Sequence, residues 1–181
     1  MVTIIFEAHG TTVDNEAKRA SGHSDSPLSA LGEEQAREMG ERYKNEEFDA
    51  IFCSDLARSY RTAEIAFAGR RMRIKKDARL RECNYGDLTG SPSDTIENER
   101  PKRIREPFPN GESYEQAAER IKSFLNDLVS KYDSKQVLII GHRATQYGLE
   151  HFIDGIPLEK VVAAPWTWQP GFVYCLRSIK E

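Results

Sequence analysis

His9 and His142 stand in matching settings, each beside a glycine at the end of a short apolar run. Val2, Thr3, Ile4, Ile5 and Phe6 lead towards His9-Gly10, and "QVLIIG" at 136–141 leads into His142. Arginines accompany both: Arg143 follows the second histidine, and Arg58 lies just past Ser54, which closes a third run, "DAIFCS" at 49–54. Neutral imidazole is a competent nucleophile at phosphorus near neutral pH, and guanidinium pairs with phosphate oxygens in a planar fork. Phosphoryl transfer through a phosphohistidine is the reaction this set fits best. The leaving oxygen then needs a proton; Glu82, in "RLRECNYGDLTG", is the acid to supply it, with a surface pairing to Arg79 or Arg81 as the plain alternative. No carboxylate stands at ligand spacing beside either histidine, which weakens a metal reading. "FCSDL" lacks the glycines of a serine nucleophile's elbow.

These residues converge only if the three runs are neighbouring strands. Each run is continuous rather than alternating, as strands covered on both faces are. In open parallel sheets ligands bind beyond the carboxyl ends of the strands. That rule gathers His9, Gly10, Ser54, Arg58, His142 and Arg143 at one sheet edge, with Thr11, Thr12 and Asn15 nearby, and gives the glycines the task of letting a ligand approach the backbone. Helical patterns separate the runs. Tyr114, Ala117, Ala118, Ile121, Phe124, Leu125 and Leu128 form one stripe, with Ser113 and Gln116 as a capping box. Leu31, Ala36, Met39, Gly40 and Tyr43 sketch a helix capped by Ser29; others are expected over 56–67 and 144–153. The alternation predicts an α/β fold, a sandwich around a mostly parallel sheet. "GFVYCL" at 171–176 adds an edge strand, antiparallel in the reading. "GRRMRIKKDAR" at 69–79 lacks the interleaved aromatics of a nucleic-acid patch and reads as a solvated edge strand.

Segment 86–112 holds four of the eight prolines and little apolar content. It reads as a lid or surface excursion, with Tyr85, Arg105 and Phe108 as contacts to a substrate. Trp166 and Trp168, in "PWTWQPG", either stack on a substrate ring or are buried in a core or interface. Arg61 either binds a second anionic group or pairs with Asp55 or Glu64.

The chain of 181 residues reads as one domain spanning 1–181, large enough to bury roughly 70% of its unfolded surface. With 26 basic against 29 acidic residues the surface does not attract polyanions, so any anion site is local. Cys53, Cys83 and Cys175 show no paired spacing and read as buried free thiols. The N-terminal run lacks the features of a signal peptide, and no stretch is long enough for a membrane span. A cytoplasmic protein is expected, with a small-molecule phosphate ester as partner, no nucleic acid or membrane, and no cofactor or metal. A homodimer is compatible with the sequence.

Ordered blocks along the chain complete the reading: "AHGTT" at 8–12, Asp14, Asn15 and Glu16, "SGHSDSPLSALGEEQA" from Ser21, "CSDLARSYRTAEIA" from Cys53, Glu82, "GES" at 111–113, and "VLIIGH" ending at His142. Together they resemble the histidine phosphatase superfamily over nearly the whole length. The resemblance implies the phosphoglycerate mutase-like three-layer α/β/α sandwich. It also implies roles: His9 as the phosphorylated nucleophile, Arg58 and His142 on the phosphoryl oxygens, Glu82 as general acid and then base, and Asn15, Ser21 and Gly22 lining the site with Gly10 and Thr12. In that family an arginine precedes the catalytic histidine and a small residue follows the second one; here they are Ala8 and Arg143. Arg143 is expected to supply the guanidinium that Ala8 lacks. The activity expected is a phosphomonoesterase. A weakened member that binds a phosphorylated ligand in a regulatory role is the alternative, and a phosphoglycerate mutase-type transfer a more distant one, since the chain is short for that branch.

Overall fold

The computed structural model describes residues 1–180. Five strands, β1 (Val2–Ala8), β2 (Ala50–Cys53), β3 (Ile74–Lys76), β4 (Gln136–Gly141) and β5 (Phe172–Leu176), form one sheet in the order β3-β2-β4-β1-β5. All pairings are parallel except that of β5 with β1, which is antiparallel and places β5 at the edge. Helices α1 (Val13–Glu16), α2 (Ala30–Arg42), α3 (Ala57–Ala66), α4 (Ser93–Glu99), α5 (Tyr114–Lys131), α6 (Arg143–Leu149) and α7 (Leu158–Ala163) complete the chain, with α6 running on into a π-helical turn over Glu150–Asp154.

Alternation along the strands sorts side chains into two cores. Val2, Ile4, Phe6, Val137 and Ile139 face one way and meet the α5 stripe of Ile121, Phe124, Leu125 and Leu128. Ile51, Cys53, Leu138 and Ile140 face the other and meet Met39 of α2 and Ala63 and Ala66 of α3. The result is a three-layer α/β/α sandwich with a mostly parallel sheet, as expected. The helix starts follow their caps: Ser29 accepts from Gly32 N at the head of α2, and Ser113 and Gln116 close a reciprocal box at the head of α5.

Four expectations need correction. Leu31 lies on the solvent side of α2, 53% exposed, because Gly32, Ala36 and Met39 form the buried face. Cys175 is exposed, since the outer face of edge strand β5 has no layer over it; Cys53 and Cys83 are buried. Segment 86–112 runs largely over the surface, as one of its two readings has it, but is anchored to the core at a few points. Ile96 and Phe108 are buried, and Phe108 sits edge-on between Tyr85 at 5.2 Å and Tyr114 at 6.0 Å, which explains why neither Phe108 nor Tyr85 is available to a substrate. Arg105 points away as well, pairing with Glu159.

Candidate active site

Register decides what meets at the sheet edge. β1 and β4 are neighbours with Ala8 opposite Gly141, so the residues that follow, His9 and His142, emerge side by side with ring centroids 5.0 Å apart. On the far side of β4, β2 is followed by Ser54, whose Oγ lies 2.6 Å from His142 Nε2. The three apolar runs thus deliver one contiguous set.

His9 is held in a defined tautomer. Its Nδ1 lies 2.7 Å from the carbonyl oxygen of Gly10. A carbonyl only accepts, so Nδ1 carries the hydrogen and the lone pair sits on Nε2. Burial, and then the neighbouring Arg58 guanidinium, holds the ring's pKa down to about 3, outweighing the Gly10 contact. His142 is 1% exposed, and burial followed by Arg58 keeps it well below the ordinary histidine range. Its Nδ1 is buried without a hydrogen-bond partner among the described residues. Both rings are therefore neutral at ordinary pH, one with a free lone pair.

Glu82 reaches the same cavity. Its Oε1 accepts from Cys83 N at 2.7 Å and Ala144 N at 3.2 Å, leaving Oε2 without a partner among the described residues. The surface alternative fails because Arg79 pairs with Asp77 and Asp127, and Arg81 with Asp55. The Glu82 backbone is pinned as well: its carbonyl accepts from Arg120 Nη2 at 2.9 Å and from His23 Nε2 at 2.7 Å. Arg120 is itself clamped by Glu112. Neither Arg120 nor His23 stood out in the sequence, and only their contacts give them this role.

A cavity of about 580 Å³ joins these groups. Its wall includes His9, Gly10, Asn15, Glu82, His142 and Arg143 from the expected set. Arg58, Thr12, Ser21 and Gly22 are not part of that lining. Arg58 is 3% exposed, and its guanidinium donates to the carbonyls of Gly22 at 2.7 Å and Ser24 at 2.9 Å, fixing that loop while setting the field felt by both histidines. Thr12 caps α1 and exchanges hydrogen bonds with Asn15, and Ser21 donates to Asp14. Arg143 lines the cavity but donates through Nη1 to Glu97 at 3.0 Å and through Nη2 to the Ala164 carbonyl at 3.5 Å; its Nε is buried and unpartnered among the described residues. Arg61 pairs with Glu64, the plainer of its two readings.

Glu7, Gln35, Glu38, Met39 and Arg42 enter the wall unannounced. Trp166 and Trp168 line it too, 38% and 53% exposed rather than buried, in keeping with the first of their two readings. The only sequence signal for Glu7 is an acid at the end of an apolar strand. Gly10 and Gly141 line the cavity, and Gly10 has a packing task besides. A Cβ on Gly10 would meet the Gly32 carbonyl at 2.5 Å, and one on Gly32 would meet the Thr11 carbonyl at 1.9 Å. Their bareness lets the His9 loop lie against the start of α2.

Comparison with known proteins gives the same assignment. The family model of the histidine phosphatase superfamily (branch 1) matches residues 4–174. The chain is 35% identical over 155 residues to a Bacillus subtilis protein named "Uncharacterized phosphatase PhoE", covering 86% of this chain and 79% of the relative. It is 33% identical over 165 residues to Citrobacter koseri "Probable phosphoglycerate mutase GpmB", covering 87% and 77%. Among solved structures, Bacillus stearothermophilus YhfR superposes with a TM-score of 0.82 at 29% identity, over 93% of this chain and 87% of that one. A mycobacterial glucosyl-3-phosphoglycerate phosphatase in complex with VO3 gives 0.79 at 25% identity, over 90% and 87%. With a family model spanning both histidines and relatives that share most of its length, the chain belongs to the histidine phosphatase superfamily.

Proposed function

We propose that the protein hydrolyses a small-molecule phosphate monoester through a phosphohistidine on His9, without a metal. The observation that carries this reading is the tied Nδ1 of His9, which leaves Nε2 as a neutral nucleophile in the same cavity as Glu82 and His142. In the first step Nε2 attacks phosphorus and the ester P–O bond breaks, while protonated Glu82 gives its proton to the departing alcohol oxygen. In the second, the Glu82 carboxylate takes a proton from water as that water's oxygen attacks the phosphohistidine, releasing phosphate and restoring His9. His142 Nδ1 serves as a donor to the phosphoryl oxygens, and Arg58 supplies positive field.

Arg143 takes the place of the guanidinium missing at Ala8. It lines the same cavity, and its unpartnered Nε leaves a donor in reserve while Glu97 holds the far end. The engagement with Glu97 also favours a second reading, a weakened member that binds phosphorylated ligands. One experiment separates them: hydrolysis of an aryl phosphate in EDTA by wild type, His9→Ala and Arg143→Ala. Turnover that falls ~10²-fold or more in both variants supports the mechanism and the exchange, given the usual cost of losing a charged donor. Full activity in Arg143→Ala removes that arginine from the mechanism. Wild-type turnover no higher than that of His9→Ala leaves ligand binding as the function, and dependence on a bisphosphate primer indicates a mutase.

A further inference from the structure

The cavity is much larger than a phosphoryl group needs, at about 580 Å³ against ~30 Å³ for each water displaced. From His9 it extends along α2 to the two tryptophans. We propose that this outer lobe reads a positively charged amine on the alcohol part of the substrate. The inference rests on the phosphomonoesterase reading and narrows its substrate.

Glu7 lies beneath the lobe, fully buried, and acts on it through its charge; its Oε1 accepts from Arg42 Nη2 at 2.9 Å and from the Tyr43 hydroxyl at 2.7 Å, while Oε2 is buried with no partner among the described residues. An incompletely matched buried carboxylate is costly and calls for a reason. Above it the exposed Glu38 lines the cavity with no ion pair or hydrogen bond from its carboxylate among the described residues. Two acids face one cation here, Arg42, since Arg143 across the cavity is already paired with Glu97. One further positive charge brings the lobe to neutrality.

The lobe also shows what it binds, because it already holds a cation of its own. The Arg42 guanidinium rests on Glu7 with its carbon 5.8 Å from the Tyr43 ring centre and 5.9 Å from that of Trp168. Carboxylate and aromatic face together are the chemistry that recognises ammonium groups. Trp166 is fixed beside them by its Nε1 donating to Gln146 Oε1 at 2.9 Å, so a second indole borders the space. A second anionic group on the substrate meets two carboxylates instead. A neutral hydroxyl finds acceptors but gains nothing from the charge.

The test is a matched series of ω-aminoalkyl, ω-hydroxyalkyl and ω-carboxyalkyl phosphates with chains of two to six carbons. At the best length, kcat/KM for the amine should exceed that for the alcohol by about tenfold, within the range of a partly desolvated cation–π contact. That ratio should fall towards one in Glu38→Gln and in Trp168→Leu. The same series is titrated calorimetrically into His9→Ala, where the order of affinities should be amine, alcohol, carboxylate. This arm needs no turnover, so amine preference in binding with no hydrolysis by wild type would sink the phosphatase reading alone. Equal or better performance of alcohols or carboxylates at every length in both assays overturns the proposal. An amine preference that survives both substitutions overturns it too, by placing the recognition elsewhere.

Discussion

Ser54 Oγ accepts from Leu56 N at 3.4 Å and lies 2.6 Å from His142 Nε2. The donor role proposed for His142 Nδ1 requires the Ser54 hydroxyl to donate to Nε2, so that the ring proton sits on Nδ1, which has no partner among the described residues. Ser54→Ala releases this choice and lets both tautomers form. Nitrogen-15 chemical shifts of the His142 ring should move towards a tautomer mixture. The loss in kcat should be smaller than the ~10²-fold expected for removing an oxyanion donor itself. Unchanged shifts would mean that the surrounding fold, not Ser54, sets the tautomer.

At the scale of elements, the His9 loop and α2 are built as one contact. Gly10 and Gly32 present bare backbone to each other, and Ser29 N donates to the Thr11 carbonyl at 3.0 Å to seal the junction. Gly32→Ala puts a methyl 1.9 Å from the Thr11 carbonyl, with backbone on both sides and no side chain able to yield. We expect a destabilisation of about 1–3 kcal/mol, the usual cost of overpacking, measured by urea unfolding, together with a fall in kcat as the His9 loop is displaced. A variant as stable and as active as wild type would show that the junction is pliable. The strands and their order of chemistry were legible because period, length and glycine punctuation are local signals. The packing role of Gly10 was not, because the atom that excludes a Cβ from it belongs to a carbonyl far along the chain. Trp166 and Trp168 were ambiguous for a similar reason: whether an indole is covered depends on what β5 and α2 leave between them.

Over the whole molecule, stability should depend on pH through its neutral histidines. His9 is held to about 3 and His142 well below 6.5, both chiefly by burial, and His23 is lowered as well. The unfolded chain takes up protons on these rings near pH 6.5 while the folded chain does not, so stability is complete above that value and is lost as pH falls towards the folded pKa values. Each ring contributes a slope of up to about 1.4 kcal/mol per pH unit. Urea unfolding at pH 7.5 and pH 5 should show the loss, and it should shrink in His142→Asn. The lowered carboxylates Asp55 and Glu112 act in the same direction but at lower pH, while Glu150, raised by burial, acts in the opposite direction. Equal stability at the two values would contradict the buried neutral state of the pair. Among the described residues no helix is long and apolar enough to cross a membrane.

The hydrogen bond from His9 Nδ1 to its neighbour's carbonyl has a stereochemical consequence. With that nitrogen committed, the imidazole offers a single point of attachment, so the covalent adduct of the proposed reaction has only one regioisomer, the tele form. Phosphorus enters and leaves through the same nitrogen in successive in-line displacements. Each displacement inverts it, and a chiral phosphate would emerge with the handedness it brought.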